Sequence, residues 1–172
     1  TPLTWLWANP LPTGNNVYDL APTNALTVMV GDRGQVYTSV NDELWVPRDL
    51  PSTKAARAVA FLGSKTIITG EAGLTAHAET TGLRDSALTP FTVVDLGTSD
   101  WLEAVAVGNA RAVAVGDNGA VYTTTDGVAW TRRPQSFTTW LRGVAFGNGL
   151  FVAVGDAGFA ATSADGVTWQ KR

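Results

Sequence analysis

Charged side chains recur along this 172-residue chain at a spacing that would gather them in one place. Arg57, Glu103 and Arg142 each stand thirteen residues before the first glycine of a repeated motif (Gly70, Gly116 and Gly155). Asp19 joins them ahead of Gly31 if the intervening turn is one residue shorter. Read in order, the column alternates minus, plus, minus, plus. One use for such a column is a set of ion pairs between neighbouring units, each contributing about 0–1 kcal/mol where partly exposed. The other is a polar mouth that binds a ligand or a partner's side chain. Acid–base work on a glycosidic bond would need two converging carboxylates. Asp19 and Glu103 are the pair to consider, but adjacent arginines would hold both ionised, which is wrong for a general acid. No catalytic residue is assigned.

Other chemistries lack their residues. There is no cysteine and one histidine, His77. Thiol catalysis, disulfides and Cys-based metal sites are therefore excluded, and a site with several histidines cannot form within one chain. Neither a phosphate loop, a nucleophile elbow nor a dinucleotide fingerprint is present. No metal and no cofactor is expected. The acids that follow the marker glycines, Asp32, Glu71, Asp117 and Asp156, read as hairpin-turn residues.

The elements that must position the column follow from the repeats. The segments beginning at Gly31, Gly70, Gly116 and Gly155 are separated by 39, 46 and 39 residues. Fourteen residues after three of these glycines comes a tryptophan: Trp45, Trp130 and Trp169. In the second repeat the aromatic is Phe91, displaced by seven residues, so that repeat carries an insertion of that length within residues 78–90. Alternating short apolar runs, punctuated by Gly108-Asn109, Asp117-Asn118-Gly119 and Asp126-Gly127, predict four strands per repeat. In the third repeat they fall near 101–107, 111–116, 119–124 and 128–133. Four short antiparallel strands in about 40 residues make a propeller blade. The chain is thus read as all-β, a β-propeller of four-stranded antiparallel blades with four repeats. The blades occupy residues 15–53, 54–99, 100–138 and 139–172, after a strand-like lead at 1–14. Residues 3–8 read as one further outer strand, seventeen in all, which leaves three arrangements open: a four-bladed ring, part of a larger ring, or a ring shared by two chains.

The ends of repeats three and four, Thr124-Thr125-Asp126-Gly127-Val128-Ala129-Trp130 and Ser163-Ala164-Asp165-Gly166-Val167-Thr168-Trp169, resemble the Asp-box, or BNR repeat. Repeat one keeps a worn copy in Ser39, Asn41, Asp42 and Trp45, and the insertion has removed it from repeat two. The opening Trp5-Leu6-Trp7-Ala8-Asn9-Pro10-Leu11-Pro12 is similar to the first strand of Asp-box propellers related to the photosystem II assembly and stability factor. The resemblance implies that Asp126, Gly127, Trp130, Asp165, Gly166 and Trp169 are folding elements. The aspartate would accept backbone N–H groups of its own turn, the glycine would take a positive φ, and the tryptophan would insert between blades.

With 45% hydrophobic and 16% charged residues and a net charge of −3, the chain has no basic stripe for nucleic acid. Its apolar runs are too short to span a membrane as helices. A non-catalytic scaffold that binds a protein partner is the expectation, placed outside the cytoplasm, as a secreted or periplasmic protein. A carbohydrate-binding propeller or a piece of an Asp-box glycoside hydrolase is the alternative. Trp7, Trp101 and Trp140, which lie outside the tryptophan column, are the aromatic platforms to inspect for it. A second candidate for partner binding is the inserted loop with its flank: His77, Glu79, Arg84 and Asp85. Association with a second copy remains open.

Overall fold

The computed structural model describes residues 13–84 and 90–172. The lead strand at residues 3–8, Trp7 and Asp85 lie outside the described residues. The described chain builds four antiparallel four-stranded sheets, one per repeat. Blade 1 comprises β1 (Val17–Pro22), β2 (Thr27–Gly31), β3 (Val36–Ser39) and β4 (Val46–Arg48). Blade 2 holds β5 (Ala56–Leu62), β6 (Lys65–Gly70), β7 (Leu74–Glu79) and β8 (Thr92–Asp95). Blade 3 holds β9 (Leu102–Gly108), β10 (Arg111–Gly116), β11 (Val121–Thr124) and β12 (Thr131–Arg132), and blade 4 holds β13 (Leu141–Gly147), β14 (Leu150–Gly155), β15 (Phe159–Ser163) and β16 (Gln170–Lys171). The fourth strand of blade 3 is shorter than predicted, because the Asp-box turn takes up residues 125–130 before Thr131 pairs with Thr123.

Each blade is locked by the same device. The first strand carries a bulge where the register shifts, between Val17 and Asp19, Ala56 and Ala58, and Leu141 and Gly143, with the matching irregularity opposite Glu103 in blade 3. The marker glycine lies across from it. A Cβ on Gly31, Gly70, Gly116 or Gly155 would sit 2.2, 2.1, 1.6 or 2.4 Å from the carbonyl oxygen of Asn16, Ala55, Trp101 or Trp140. Only glycine lets those backbones approach so closely. The amide after each glycine then donates to that carbonyl: Asp32 to Asn16, Glu71 to Ala55, Asp117 to Trp101 and Asp156 to Trp140, all within 3.0–3.1 Å. In two blades the acid closes the loop, since Asp117 Oδ1 accepts from Trp101 N at 2.8 Å and Glu71 Oε2 from Ala55 N at 3.0 Å. These acids therefore tie strand one to strand two, beyond the hairpin role expected of them.

Seams between successive blades form the core. Val28, Val30 and Val36 of blade 1 pack with Ala56, Val59, Ile68 and Ala76 of blade 2. Val113, Val115 and Val121 of blade 3 pack with Phe151, Ala153 and Ala161 of blade 4. The first strands line up, β1 beside β5, β5 beside β9 and β9 beside β13; among the described residues no comparable packing joins β13 to β1. The four blades form an arc rather than a closed four-bladed ring.

The insertion is part of this core at its near end. After the 3-10 turn Thr80–Leu83, the Leu83 side chain is fully buried in the seam between blades 1 and 2, with Phe91 beside it. The Leu83 carbonyl accepts from Arg48 Nη2 at 2.5 Å. Replacing Leu83 by alanine is expected to cost about 2–5 kcal/mol, whereas alanine at exposed Arg84 should stay within about 0.5 kcal/mol. Urea unfolding of the two variants checks this.

Candidate functional site

A bulge leaves one residue without a cross-strand partner and re-aims its side chain. In the four blades that residue is Tyr18, Arg57, Glu103 and Arg142. The charged column is thus real in three blades, and the fourth member is Tyr18 rather than Asp19. Asp19 pairs with Val30 as Ala58 pairs with Thr69 and Gly143 with Val154, so no residue is missing from the turn of blade 1. One residue along a strand is the opposite face. Asp19 accordingly points into the seam, where Oδ2 accepts from Val59 N of blade 2 at 2.9 Å.

The bulge residues and their aromatic neighbours make one ledge along the inner strands. The Arg57 guanidinium grips Glu103 across the seam between blades 2 and 3, with Nη2 and Nε at 2.8 and 2.9 Å from Oε2. Both side chains are largely buried, at 20% and 8% exposure. Arg57 also lies over the Tyr18 ring at 4.2 Å and near that of Trp101 at 5.6 Å. Arg142 lies over Trp140 at 3.9 Å. Its guanidinium is bidentate to Asp156 of its own blade, at 2.8 and 3.0 Å, and holds that carboxylate's pKa below its ordinary value. Trp101 and Trp140 meet edge to face at 6.5 Å. Both are half-buried, so they are neither sealed between blades nor free platforms. Two atoms of the ledge, Glu103 Oε1 and Trp140 Nε1, are buried without a hydrogen-bond partner.

Nearby carboxylates are committed to structure. Burial, and after it the neighbouring Asp100 and Glu103, raises the Asp117 carboxyl above its usual range. Asp100 accepts from the Tyr122 hydroxyl at 2.8 Å and from Arg132 Nε at 3.3 Å. That trio, with Asp100 and Tyr122 buried and Arg132 exposed, has no counterpart in the other repeats and no signal in the sequence. A second set was legible and overlooked: the arginine three residues after each column tryptophan donates to a threonine of strand three. Arg48 reaches Thr38 at 2.7 Å, and Arg133 and Arg172 reach Thr123 and Thr162 at 2.9 Å.

The other expected residues are dispersed. His77 lies mid-strand, opposite Ile67 and Thr92, with Nδ1 unpaired. Glu79 pairs with Lys65 at 3.1 Å, and Arg84 is exposed. They do not converge with the ledge. The box residues follow their expected geometry. Asp126 Oδ1 accepts from Val128 N and Ala129 N at 2.8 and 2.9 Å, and Asp165 Oδ1 from Val167 N and Thr168 N at 2.8 Å. Gly127 and Gly166 both have φ of +73°. Trp130 sits over the seam between blades 2 and 3 with Leu62, Ile67 and Ala112, and Trp169 joins the seam between blades 3 and 4.

No family model and no curated protein matches the chain. Solved structures do. A structure of YCF48 bound to a D1 peptide superposes with a TM-score of 0.69 at 24% identity, over 94% of this chain and 54% of that one. YCF48 from Cyanidioschyzon merolae gives 0.65 at 20% identity, over 95% and 57%. An ancestral GH74 enzyme gives 0.71 at 19% identity, over all of this chain and 26% of the enzyme. This chain spans little more than half the length of the two YCF48 structures. At these identities the likeness concerns the fold, and the fold is that of a β-propeller.

The Asp126 and Asp165 carboxylates supply a pH-dependent term. Backbone amides of Val128 and then Ala129 lower the Asp126 pKa to about 2. A depressed folded-state pKa stabilises above the unfolded value near 4, and the contribution is lost as pH falls through about 2. Asp126→Ala is expected to cost about 1–2 kcal/mol at pH 7. Asp126→Asn should cost less, because Asn41 serves blade 1 with the same two bonds, to Glu43 N and Leu44 N at 3.1 Å. Chemical denaturation at pH 7 and pH 2 should show the gap between wild type and Asp126→Asn closing at the lower pH.

Proposed function

We propose that the protein is a non-catalytic scaffold that binds a segment of a protein partner on the ledge of Tyr18, Arg57, Trp101, Glu103, Trp140 and Arg142. The observation that carries this reading is Arg142. Its side chain is 47% exposed, lies over the Trp140 ring at 3.9 Å, and sits in a bulge that re-aims it out of the sheet ladder. A guanidinium held over an indole face is pre-organised for a carboxylate or a backbone carbonyl, with little side-chain entropy left to lose. That YCF48, of the same fold, has been captured with a peptide supports a peptide-like ligand here.

The carbohydrate or glycosidase reading has the GH74 likeness in its favour. Against it, the Trp140 face that a sugar would stack on is covered by Arg142, and Arg57 lies beside that of Trp101. The two carboxylates considered for hydrolysis do not converge: Asp19 is hydrogen-bonded inside a seam and Glu103 is gripped by Arg57.

An array of synthetic fifteen-residue peptides and a glycan array, probed in parallel with the labelled chain, separate the readings. Selective peptide binding that falls at least tenfold in Arg142→Glu is expected. Glycan binding that survives Arg142→Glu and is lost in Trp140→Ala would replace the scaffold reading by the carbohydrate one.

A further inference from the structure

Blade 3 carries charge at one pair of repeat positions and does not neutralise it there. Five residues before each marker glycine stand Leu26, Lys65, Arg111 and Leu150. Nine residues after it stand Val40, Glu79, Thr125 and Ala164. In blade 2 the two positions face each other across strands two and three, and Lys65 closes an ion pair with Glu79 at 3.1 Å. Blade 3 keeps a cation at the first position, Arg111, but has a threonine where blade 2 has its acid.

A second arginine lines the same place. Arg111 and Arg133 share a recess of about 70 Å³ with the threonines around the box turn, Thr125 and Thr131 among them. Neither guanidinium forms an ion pair among the described residues. Asp126 and Asp165, next in sequence to Thr125 and Gly166, turn Oδ1 to the amides of their own boxes. Blades 1 and 4 have the second arginine, as Arg48 and Arg172, but a leucine at the first position. Blade 3 alone among the four sets two cations together here.

Both side chains are half-buried and held in place. The Arg111 stem lies under blade 4, where a Cβ on Gly166 would come 3.3 Å from its Cδ. The Lys65 stem lies under Gly127 of blade 3 in the same way, at 3.4 Å. Arg133 donates through Nε to Thr123 Oγ1 at 2.9 Å, and its terminal amino groups have no partner among the described residues. In blade 1 the matching group, Arg48 Nη2, is taken up by the Leu83 carbonyl. Thr125 and Thr131, both exposed, add hydroxyls at the rim.

We propose that this recess binds a tetrahedral dianion of the phosphate class. Two guanidiniums present N–H donors in fixed planes, which suits the several oxygens of a phosphate better than the two of a carboxylate. A phosphate monoester carries about −1.5 to −2 charges at pH 7, matching the two cations. The recess admits such a group rather than a whole organic ligand, whose pockets begin near ~300 Å³. It is separate from the ledge. Arg111 opens β10, and Gly116 closes it beside the Glu103 bulge. The two sites thus lie at opposite ends of one strand, roughly 17 Å apart at about 3.3 Å per residue. The anion site does not depend on the ledge or on a peptide bound there.

Calorimetric titration at constant ionic strength tests the proposal, with inorganic phosphate, O-phosphoserine and acetate as probes. Phosphate should bind at a single site, and acetate about tenfold more weakly or not at all. Phosphoserine binding as tightly as phosphate assigns a phosphate carried on a larger molecule, and phosphate binding alone assigns the free ion; both support the site. Arg111→Gln and Arg133→Gln should each weaken binding about tenfold or more. Thr125→Glu should abolish it by rebuilding the ion pair of blade 2, with a urea midpoint no lower than that of the wild type, which separates loss of the site from loss of the fold. Failure of both phosphate probes to bind overturns the proposal, as does acetate binding equal to phosphate. So does binding that is lost in Arg142→Glu and unaffected by Arg111→Gln, which would put the anion on the ledge.

Discussion

The fold depends on a close approach of two backbones. In each blade the first strand bulges, and a glycine in the second strand lies against the carbonyl just before the bulge, where a Cβ would come within 2.4 Å of the oxygen or nearer. That contact sets three things together. It permits the next amide to bond the same carbonyl, it fixes the register of the first hairpin, and it leaves the bulge residue unpaired and turned out of the ladder. The positions thus freed hold Tyr18, Arg57, Glu103 and Arg142. A candidate binding surface is here a by-product of how the sheet is pinned, and the pinning tolerates wide variation in the residue displayed.

Stability and display are therefore separated along each strand. The seams take β-branched and small residues, Val113 against Ala153 and Val28 against Ile68, which lets sheets pack closely. The Asp-boxes cap the far corner, with carboxylates saturated by their own turn. Charge at the ledge is balanced locally, Arg57 by Glu103 and Arg142 by Asp156. A peptide of the proposed kind would meet guanidiniums already placed over aromatic rings, and would compete with carboxylates that belong to the protein.

The repeat, its register, the antiparallel blade and the box were all legible, because glycine and tryptophan carry geometric demands that few other residues meet. Asp19 was misplaced for an instructive reason. Spacing alone puts Tyr18 thirteen residues before Gly31, but Tyr18 carries no charge to continue the alternation, and Asp19, one residue further along, faces the opposite side of the sheet. Leu83 was hidden because an insertion has no repeat partner to report its burial. The Asp100–Tyr122–Arg132 cluster was hidden for the same reason, since nothing periodic marks a contact made in one blade only. The ledge needs four blades side by side, so it could be anticipated as a column of residues but not as stacked rings and guanidiniums.

The arc has a consequence for how the chain reaches this structure. Each seam joins blades adjacent in sequence, and the hairpins close within a few residues except between β7 and β8, where residues 80–91 intervene. The hairpins are local, but the seams join strands a whole repeat apart, and most contacting pairs are distant in sequence, which slows folding. Repeat arrays with only nearest-neighbour interfaces can nucleate at any unit and grow outward. A closed single-chain ring adds a last step in which its first and last blades, distant in sequence, must find each other. Within the four described blades each seam asks only that two neighbouring blades be in place, so order can pass from one blade to the next.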